Sequence, residues 1–183
     1  MIIYAGDVFL RPYQACDEAC IAGLLMDPEV MSLALDERAL SKEEAHAFIQ
    51  KNFGPPTEPC MEVVCLRRTA EPIGFAGYRP CGYLLEKDIE LGFVLAKEHW
   101  RKGYATAIGK RLILHAQHGL GLSRILAACH PQNSGSNRVL GAKLRMLLHK
   151  EDIVVPRAEG ETRRNVYVVV FPNTSLSPPE RLD

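Results

Sequence analysis

The chain has 183 residues, with 22 Lys plus Arg balanced by 22 Asp plus Glu, so its formal net charge is zero. That length suits one domain able to bury a core without disulfides or metals. The charge balance excludes a global pull toward nucleic acid or an anionic membrane, so any anion must be bound locally.

Residues 8–11 read as a first short strand. Asp17 is placed to cap a helix whose apolar positions Ile21, Leu24 and Leu25 fall at i, i+3 and i+4, and Asp27-Pro28 stops it. Ser41 and Glu44 have capping-box spacing ahead of Ala45, Phe48 and Ile49 on one helical face, with Gly54-Pro55-Pro56 ending this second helix. Residues 61–66 and 73–78, rich in β-branched, aromatic and apolar side chains, predict a hairpin turning around 69–72. Residues 88–95 predict an apolar strand that opens on Asp88 and carries one acid, Glu90, in its interior, followed by a basic loop and a helix over 103–118 that buries Ala105, Ile108, Leu112 and Ala116.

Gly119 and Gly121 end that helix, 124–129 form another strand, Ser136 caps a short helix to about residue 144, and 165–171 form a last strand. Residues 173–183, with Pro178 and Pro179, read as a loose tail. No repeat or linker divides the chain, so one α/β domain is predicted over 1–172, a mixed central sheet of about six or seven strands flanked by helices.

The opening MIIYAGDVFLRP lacks a basic region followed by a long apolar run, and no apolar run approaches the roughly 20 residues needed to cross a bilayer. The expected localisation is cytoplasmic. Cys16, Cys20, Cys60, Cys65, Cys81 and Cys129 contain no CxxC pair and read as small buried hydrophobes. His115 and His118 share a helical face, but no carboxylate or thiol accompanies them, so no metal is expected and both read as exposed helix surface.

The segment from Lys97 to Ala105 joins a strand to a helix. The free N–H groups of a helix's first turn already carry positive potential, so Arg101 and Lys102 each cost on the order of 0.3 to 1 kcal/mol there unless an anion sits among them. Gly103 and Ala105 let the backbone come close to such a ligand. A solvated basic loop accounts for these residues about as well.

Taken together, Ile89 to Leu95 and then Trp100-Arg101-Lys102-Gly103-Tyr104-Ala105-Thr106 resemble the acetyl-CoA motif of the GNAT superfamily, most closely its RimJ/RimL-like branch. The superfamily's loop reads Gln or Arg, two residues, Gly, one residue, then Gly or Ala. Gly103 and Ala105 match, and Trp100 fills the first place. The likeness runs from Leu10-Arg11-Pro12 and Asp27-Pro28-Glu29 to His130-Pro131-Gln132-Asn133 and Ser136-Asn137-Arg138-Val139-Leu140. It departs where the family reads Glu-Lys-Leu-Gly-Phe and this chain has Gly141-Ala142-Lys143-Leu144-Arg145-Met146.

The resemblance implies an acetyl-CoA-dependent N-acetyltransferase with the cofactor held between two splayed strands. Backbone N–H groups of Arg101, Lys102, Gly103, Tyr104, Ala105 and Thr106 would hold the pyrophosphate, and Val94 and Leu95 would pair with pantetheine. Asn133 and Arg138 would contact the CoA chain. Ser136 would donate to the leaving sulfur.

Aminolysis of a thioester needs a neutral amine, a proton acceptor and stabilisation of a developing oxyanion. Glu90 is the one acid inside its strand, on a face with Gly92 and Val94, and is the candidate acceptor, directly or through water. A solvent-facing edge position would also account for it. A backbone N–H around Val94 or Leu95 would meet the oxyanion where the strand leaves its neighbour. Tyr104 and Tyr167 are alternative proton donors, both better explained by the phosphate turn and by packing.

A peptide α-amine near pKa 7.7 to 8.0 costs about 1 kcal/mol to deprotonate at pH 7, against about 4 to 5 for lysine, which favours an N-terminal acceptor. The alternatives are a small-molecule amine acceptor and a non-catalytic acyl-CoA-binding module. No nucleic-acid or membrane partner is expected, and both monomer and homodimer fit the sequence.

Overall fold

A computed structural model describes residues 2–35, 37–53, 60–81, 88–157 and 160–172. In chain order its elements are strands β1 (Ile3–Ala5) and β2 (Val8–Arg11), then helices α1 (Glu18–Met26), α2 (Pro28–Met31) and α3 (Lys42–Asn52). Strands β3 (Met61–Leu66), β4 (Pro72–Pro80) and β5 (Ile89–Leu95) follow, then helix α4 (Tyr104–His118) and strand β6 (Arg124–Cys129). Helix α5 (Ser134–Asn137) runs into a π-helical segment, Arg138–Lys143, before strands β7 (Leu147–Arg157) and β8 (Gly160–Val170).

Among the described residues the strands form one eight-stranded sheet in the order β1-β2-β3-β4-β5-β6-β8-β7. Every neighbouring pair is antiparallel except β5 and β6, which run parallel and share one registered pair, Glu90 opposite Leu126. By contrast β5 pairs with β4 along its whole length, and β6 likewise with β8. The sheet is thus two halves joined at a single rung.

Helices α1 to α3 cover one face of the first half, burying Ile21, Leu25, Met31 and Ile49 against Val63 and Phe75. Helix α4 covers the other face, packing Ile108, Leu112 and Ala116 against Val64, Leu91 and Ile125. Strand alternation divides β5 between the two cores, with Leu91 and Leu95 in the α4 core and Val94 in the other.

The predicted hairpin, the Ser41–Glu44 capping box and the strand over 124–129 are present. Gly54-Pro55-Pro56 and the predicted tail at 173–183 lie outside the described residues. The eight strands exceed the expected six or seven because the three-residue β1 and the long β7 (LLHKEDIVVPR), whose apolar ends flank a charged run, lacked a clear alternating signal. β8 also begins five residues earlier than expected, at Gly160.

Asp17 is not the side-chain cap that its position suggested. It ends a 3-10 turn, is 2% exposed, and accepts from both terminal nitrogens of Arg11 at 2.7 Å and from the Gln14 N–H at 2.8 Å. Burial alone would raise its carboxyl pKa, but the Arg11 and Gln14 hydrogen bonds hold it below the usual carboxylate range. The true side-chain cap nearby is Asp27, which accepts from the Glu29 and Val30 N–H groups and starts α2.

Ser136 likewise does not cap its helix. Asn133 does, its Oδ1 accepting from the Ser136 N–H at 3.0 Å. The departure after Leu140 now has a physical form. Matching Lys143-Leu144 to the family's Lys-Leu leaves one surplus residue, and the segment absorbs it as π-helix, the Leu144 N–H reaching back five residues to the Val139 carbonyl at 2.9 Å. Arg145 then adopts φ +56°, where the family pattern has glycine, and the Met146 N–H closes on the Leu140 carbonyl at 3.1 Å.

Of the six cysteines, Cys65, Cys81 and Cys129 are buried as expected, whereas Cys16 is exposed and Cys20 and Cys60 are half-buried. Burial pushes the Cys129 thiol up to about 12. His118 is exposed, but His115 is half-buried beside Tyr78, whose hydroxyl donates to the Leu112 carbonyl at 2.6 Å and lies 3.1 Å from His115 Nδ1.

Candidate active site

Past the Glu90–Leu126 rung β5 and β6 diverge, and the gap forms a cavity of about 1250 Å³. Residues 93–95 of β5 border it, together with 99–101 and 103–106 from the loop and start of α4, 132–136, 138, 139 and 143 from α5 and the π-helical segment, and 28–30 and 32–34 from the α2 region.

The backbone of β5 faces this gap selectively. The Ala96 N–H donates to the Ile73 carbonyl at 2.9 Å and the Cys81 N–H to the Asp88 carbonyl at 2.8 Å. Antiparallel alternation therefore directs the backbone groups of Glu90, Gly92 and Val94 toward β4, and those of Leu91, Phe93 and Leu95 toward the gap. Leu95, rather than Val94, presents its N–H to the cavity, while Val94 borders it with its side chain. The Leu95 carbonyl accepts from the Trp100 indole N–H at 2.7 Å, tying the strand end to the following loop.

That loop is built to leave donors open. After a 3-10 turn over Lys97–His99, Arg101 takes φ +61° and Gly103 φ +85°, both left-handed. No side chain caps α4, its first turn holds no acid, and its first backbone bond runs from the Ala107 N–H to the Gly103 carbonyl. The N–H groups of Tyr104, Ala105 and Thr106 thus point out of the helix end. A Cβ on Gly103 would meet nothing within 4 Å, so this backbone faces open space. Arg101 and Lys102 are exposed and unpaired among the described residues. These features fit a phosphate-bearing ligand such as CoA.

At the start of α5, Asn133 caps the helix and also donates from Nδ2 to the Leu33 carbonyl at 3.3 Å. Ser136 borders the cavity, and its hydroxyl has no hydrogen-bond partner among the described residues. Asn137, which the sequence did not mark, ties this wall to β8. Its Nδ2 faces the carbonyls of His130, Pro131 and Asn133, and its Oδ1 accepts from Asn165 and from the Tyr167 hydroxyl, each at 2.9 Å.

Glu90 is only 2% exposed and does not border the cavity. Its Oε1 accepts from Arg79 Nη2 at 3.0 Å, so it belongs to a buried ion pair at the point where the strands part. Arg79 gave no sign of this role in sequence.

A second buried pair holds the loop after α2. Arg164, 4% exposed, donates to the Glu37 carboxylate, the Thr162 hydroxyl and the Leu35 carbonyl. Burial raises the Glu37 pKa, but its bonds from Thr162 and Arg164 outweigh that and lower it overall. Leu35 and Glu37 both take positive φ, a strain this anchoring sustains. Alternation along the last strand, had its start been read earlier, would have turned Arg164 inward.

No helix among the described residues is long and apolar enough to cross a membrane, and none of their side chains form a metal-binding cluster of three or more His, Cys, Asp or Glu.

The family model for the acetyltransferase (GNAT) domain matches residues 7–143. The uncharacterized N-acetyltransferase YnaD of Bacillus subtilis is 29% identical over 140 residues, which cover 76% of this chain and 79% of YnaD. A GNAT-family acetyltransferase from Bacillus anthracis superposes with a TM-score of 0.77 at 23% identity, over 93% of this chain and 98% of that one. An acetyltransferase from Salmonella typhimurium that modifies the N-terminal serine of ribosomal protein L7/L12 gives 0.74 at 18% identity, over 94% and 100%. Spermidine N-acetyltransferase from Vibrio cholerae, in complex with CoA and spermine, gives 0.72 at 18% identity, over 90% and 95%.

Proposed function

The chain belongs to the GNAT acetyltransferases, and on that premise we propose that this N-acetyltransferase acts on the α-amine of a peptide or protein N-terminus, as members of the RimJ/RimL-like branch do. The observation that carries this reading is the charge of the cavity lining. Among the described residues its one acid is Glu29, which Lys97 engages, so no free carboxylate faces an incoming cation. A polyamine brings several positive charges and needs carboxylates to receive them, whereas an α-amine is already substantially neutral near pH 7.

Acetyl-CoA, when bound, supplies a thioester whose C–S bond breaks as the amine forms its C–N bond. The outward N–H groups of Tyr104, Ala105 and Thr106, with Arg101 and Lys102 beside them, hold the pyrophosphate. Asn133 at the start of α5 contacts the CoA chain, and Phe93 and Leu95 offer the backbone groups along which pantetheine lies. The Leu95 N–H faces the charge developing on the acyl oxygen.

Glu90 receives the amine proton through a relay rather than by contact, because its carboxylate lies behind the cavity surface. Ser136, with a free hydroxyl on the cavity wall, donates to the departing sulfur. A low-dielectric site strengthens each of these contacts.

The reading is tested by measuring free-thiol release from acetyl-CoA across three acceptor sets: peptides with free N-termini, the same peptides N-terminally blocked but carrying lysine, and spermidine with other small amines. Turnover is expected with the free N-termini. Turnover confined to spermidine or other small amines would overturn the N-terminal assignment, and cofactor binding without turnover of any amine would point to a binding module.

A further inference from the structure

The cavity carries more positive charge than a pyrophosphate requires. The α4 amides border it with Arg101, and so do Arg138 and Lys143 of the π-helical segment. Neither of these has an ion-pair partner among the described residues, although the chain as a whole has as many acids as bases. Two unpaired cations on one wall repel each other unless an anion joins them.

Their placement follows from the π-helical segment. Arg138 and Lys143 are its first and last residues, five positions apart, and the i→i+5 bonding of this segment brings residues at that spacing onto one face. The helical segment thus turns both toward the same cavity. Arg138 is exposed, Lys143 is exposed, and both keep their full donor sets for a ligand.

We propose that Arg138 and Lys143 form a second anion site, specific for the 3′-phosphate of the CoA adenosine. This rests on acetyl-CoA being the co-substrate. CoA carries one anionic group besides the pyrophosphate, and that group is the ribose 3′-phosphate. With the pyrophosphate on the α4 amides, this phosphate is the remaining charge available to neutralise Arg138 and Lys143. A guanidinium and an ammonium together supply a fork and a point charge to one phosphate. The pair selects CoA against 3′-dephospho-CoA.

The test is a calorimetric titration of the full chain with CoA and with 3′-dephospho-CoA, for the wild type and for R138Q, K143Q and the double variant. Wild type is expected to bind CoA about tenfold or more tightly than dephospho-CoA, the worth of one charge-assisted phosphate contact or more. The double variant should bind both ligands alike, at the wild type's affinity for dephospho-CoA.

Equal wild-type affinity for the two ligands would overturn the proposal while leaving acetyl-CoA as co-substrate, and it needs no variant to fold. Discrimination that survives in the double variant would also overturn it. If the substitutions instead raise the KM for an acceptor peptide and leave both affinities unchanged, the two cations belong to acceptor binding and the proposal fails. Failure of the wild type to bind either ligand would overturn the co-substrate assignment and the proposal with it.

Discussion

The indole N–H of Trp100 donates to the carbonyl of Leu95 at 2.7 Å, joining the loop proposed to hold a phosphate to the strand end proposed to meet an acyl oxygen. Trp100 is 42% exposed, so this bond fixes geometry more than it buries surface. Trp100→Phe keeps the ring and removes the donor. We expect kcat to fall by about three- to tenfold, the worth of one hydrogen bond, with the melting temperature unchanged. Steady-state kinetics beside a thermal melt would reveal it, and an unchanged kcat would show the two parts are positioned independently.

Gly103 adopts φ +85° with open space beyond its missing Cβ. Gly103→Val therefore meets no clash in the free protein. It strains the backbone and places a side chain where a ligand must approach. Affinity for acetyl-CoA should fall about tenfold or more, measured by calorimetry. Full affinity would remove the cradle assignment.

Ser136→Ala should lower kcat while leaving acetyl-CoA affinity within about twofold, since its hydroxyl is assigned to the leaving group and not to binding. Pre-steady-state thiol release separates the two effects. A change in affinity alone would reassign Ser136 to cofactor contact.

Glu90 has a structural role as well as the proposed chemical one. Glu90→Gln removes the charge that meets Arg79 in a nearly buried site, so a loss of stability is expected whatever the mechanism. The chemical role is read from the pH profile. If Glu90 takes the amine proton, the rate loss is largest at low pH, where more of the amine is protonated. A rate loss uniform across pH would leave Glu90 as scaffold only.

Asp17 gives a stability prediction with a defined sign. Its pKa is lowered in the folded chain, so its contribution is present above the ordinary carboxylate range and is lost as pH falls through the folded value. Asp17→Asn should cost about 2 kcal/mol at pH 7, because Arg11 loses its charged partner. The gap between variant and wild type should narrow below about pH 4. Denaturant melts at a series of pH values measure this, and a gap that widens in acid would contradict the assigned shift.

What was legible in the sequence followed from periodic signals and local spacing. The capping box at Ser41 and Glu44, the apolar face of α4 and the strand that precedes the basic loop all lie within a few residues of their causes. Ser136 and Asn133 were marked, but which of them caps the helix depended on where the chain turns after β6. Glu90 stood out as an acid inside an apolar strand, but it is buried rather than at a solvent-facing edge, and its partner Arg79 comes from a neighbouring strand eleven residues earlier. The Arg164–Glu37 pair spans most of the chain, and β7 is mostly exposed. Such features arise from tertiary placement, which local patterns do not encode.

A sheet held together at one rung behaves as an unfinished wall, and whatever fills its gap becomes part of the masonry. The strands of the two halves pair at Glu90–Leu126 alone, with the core under α4 shared between them, so a ligand lying in the gap adds contacts that the empty chain lacks. Bound co-substrate then stabilises the fold as well as entering the reaction. At a concentration of about 100 Kd such a ligand adds about 2.7 kcal/mol to the folded state, and for a chain of this size that raises the melting point by roughly 5 to 10 °C. A cell short of acetyl-CoA would hold this enzyme in its least durable form.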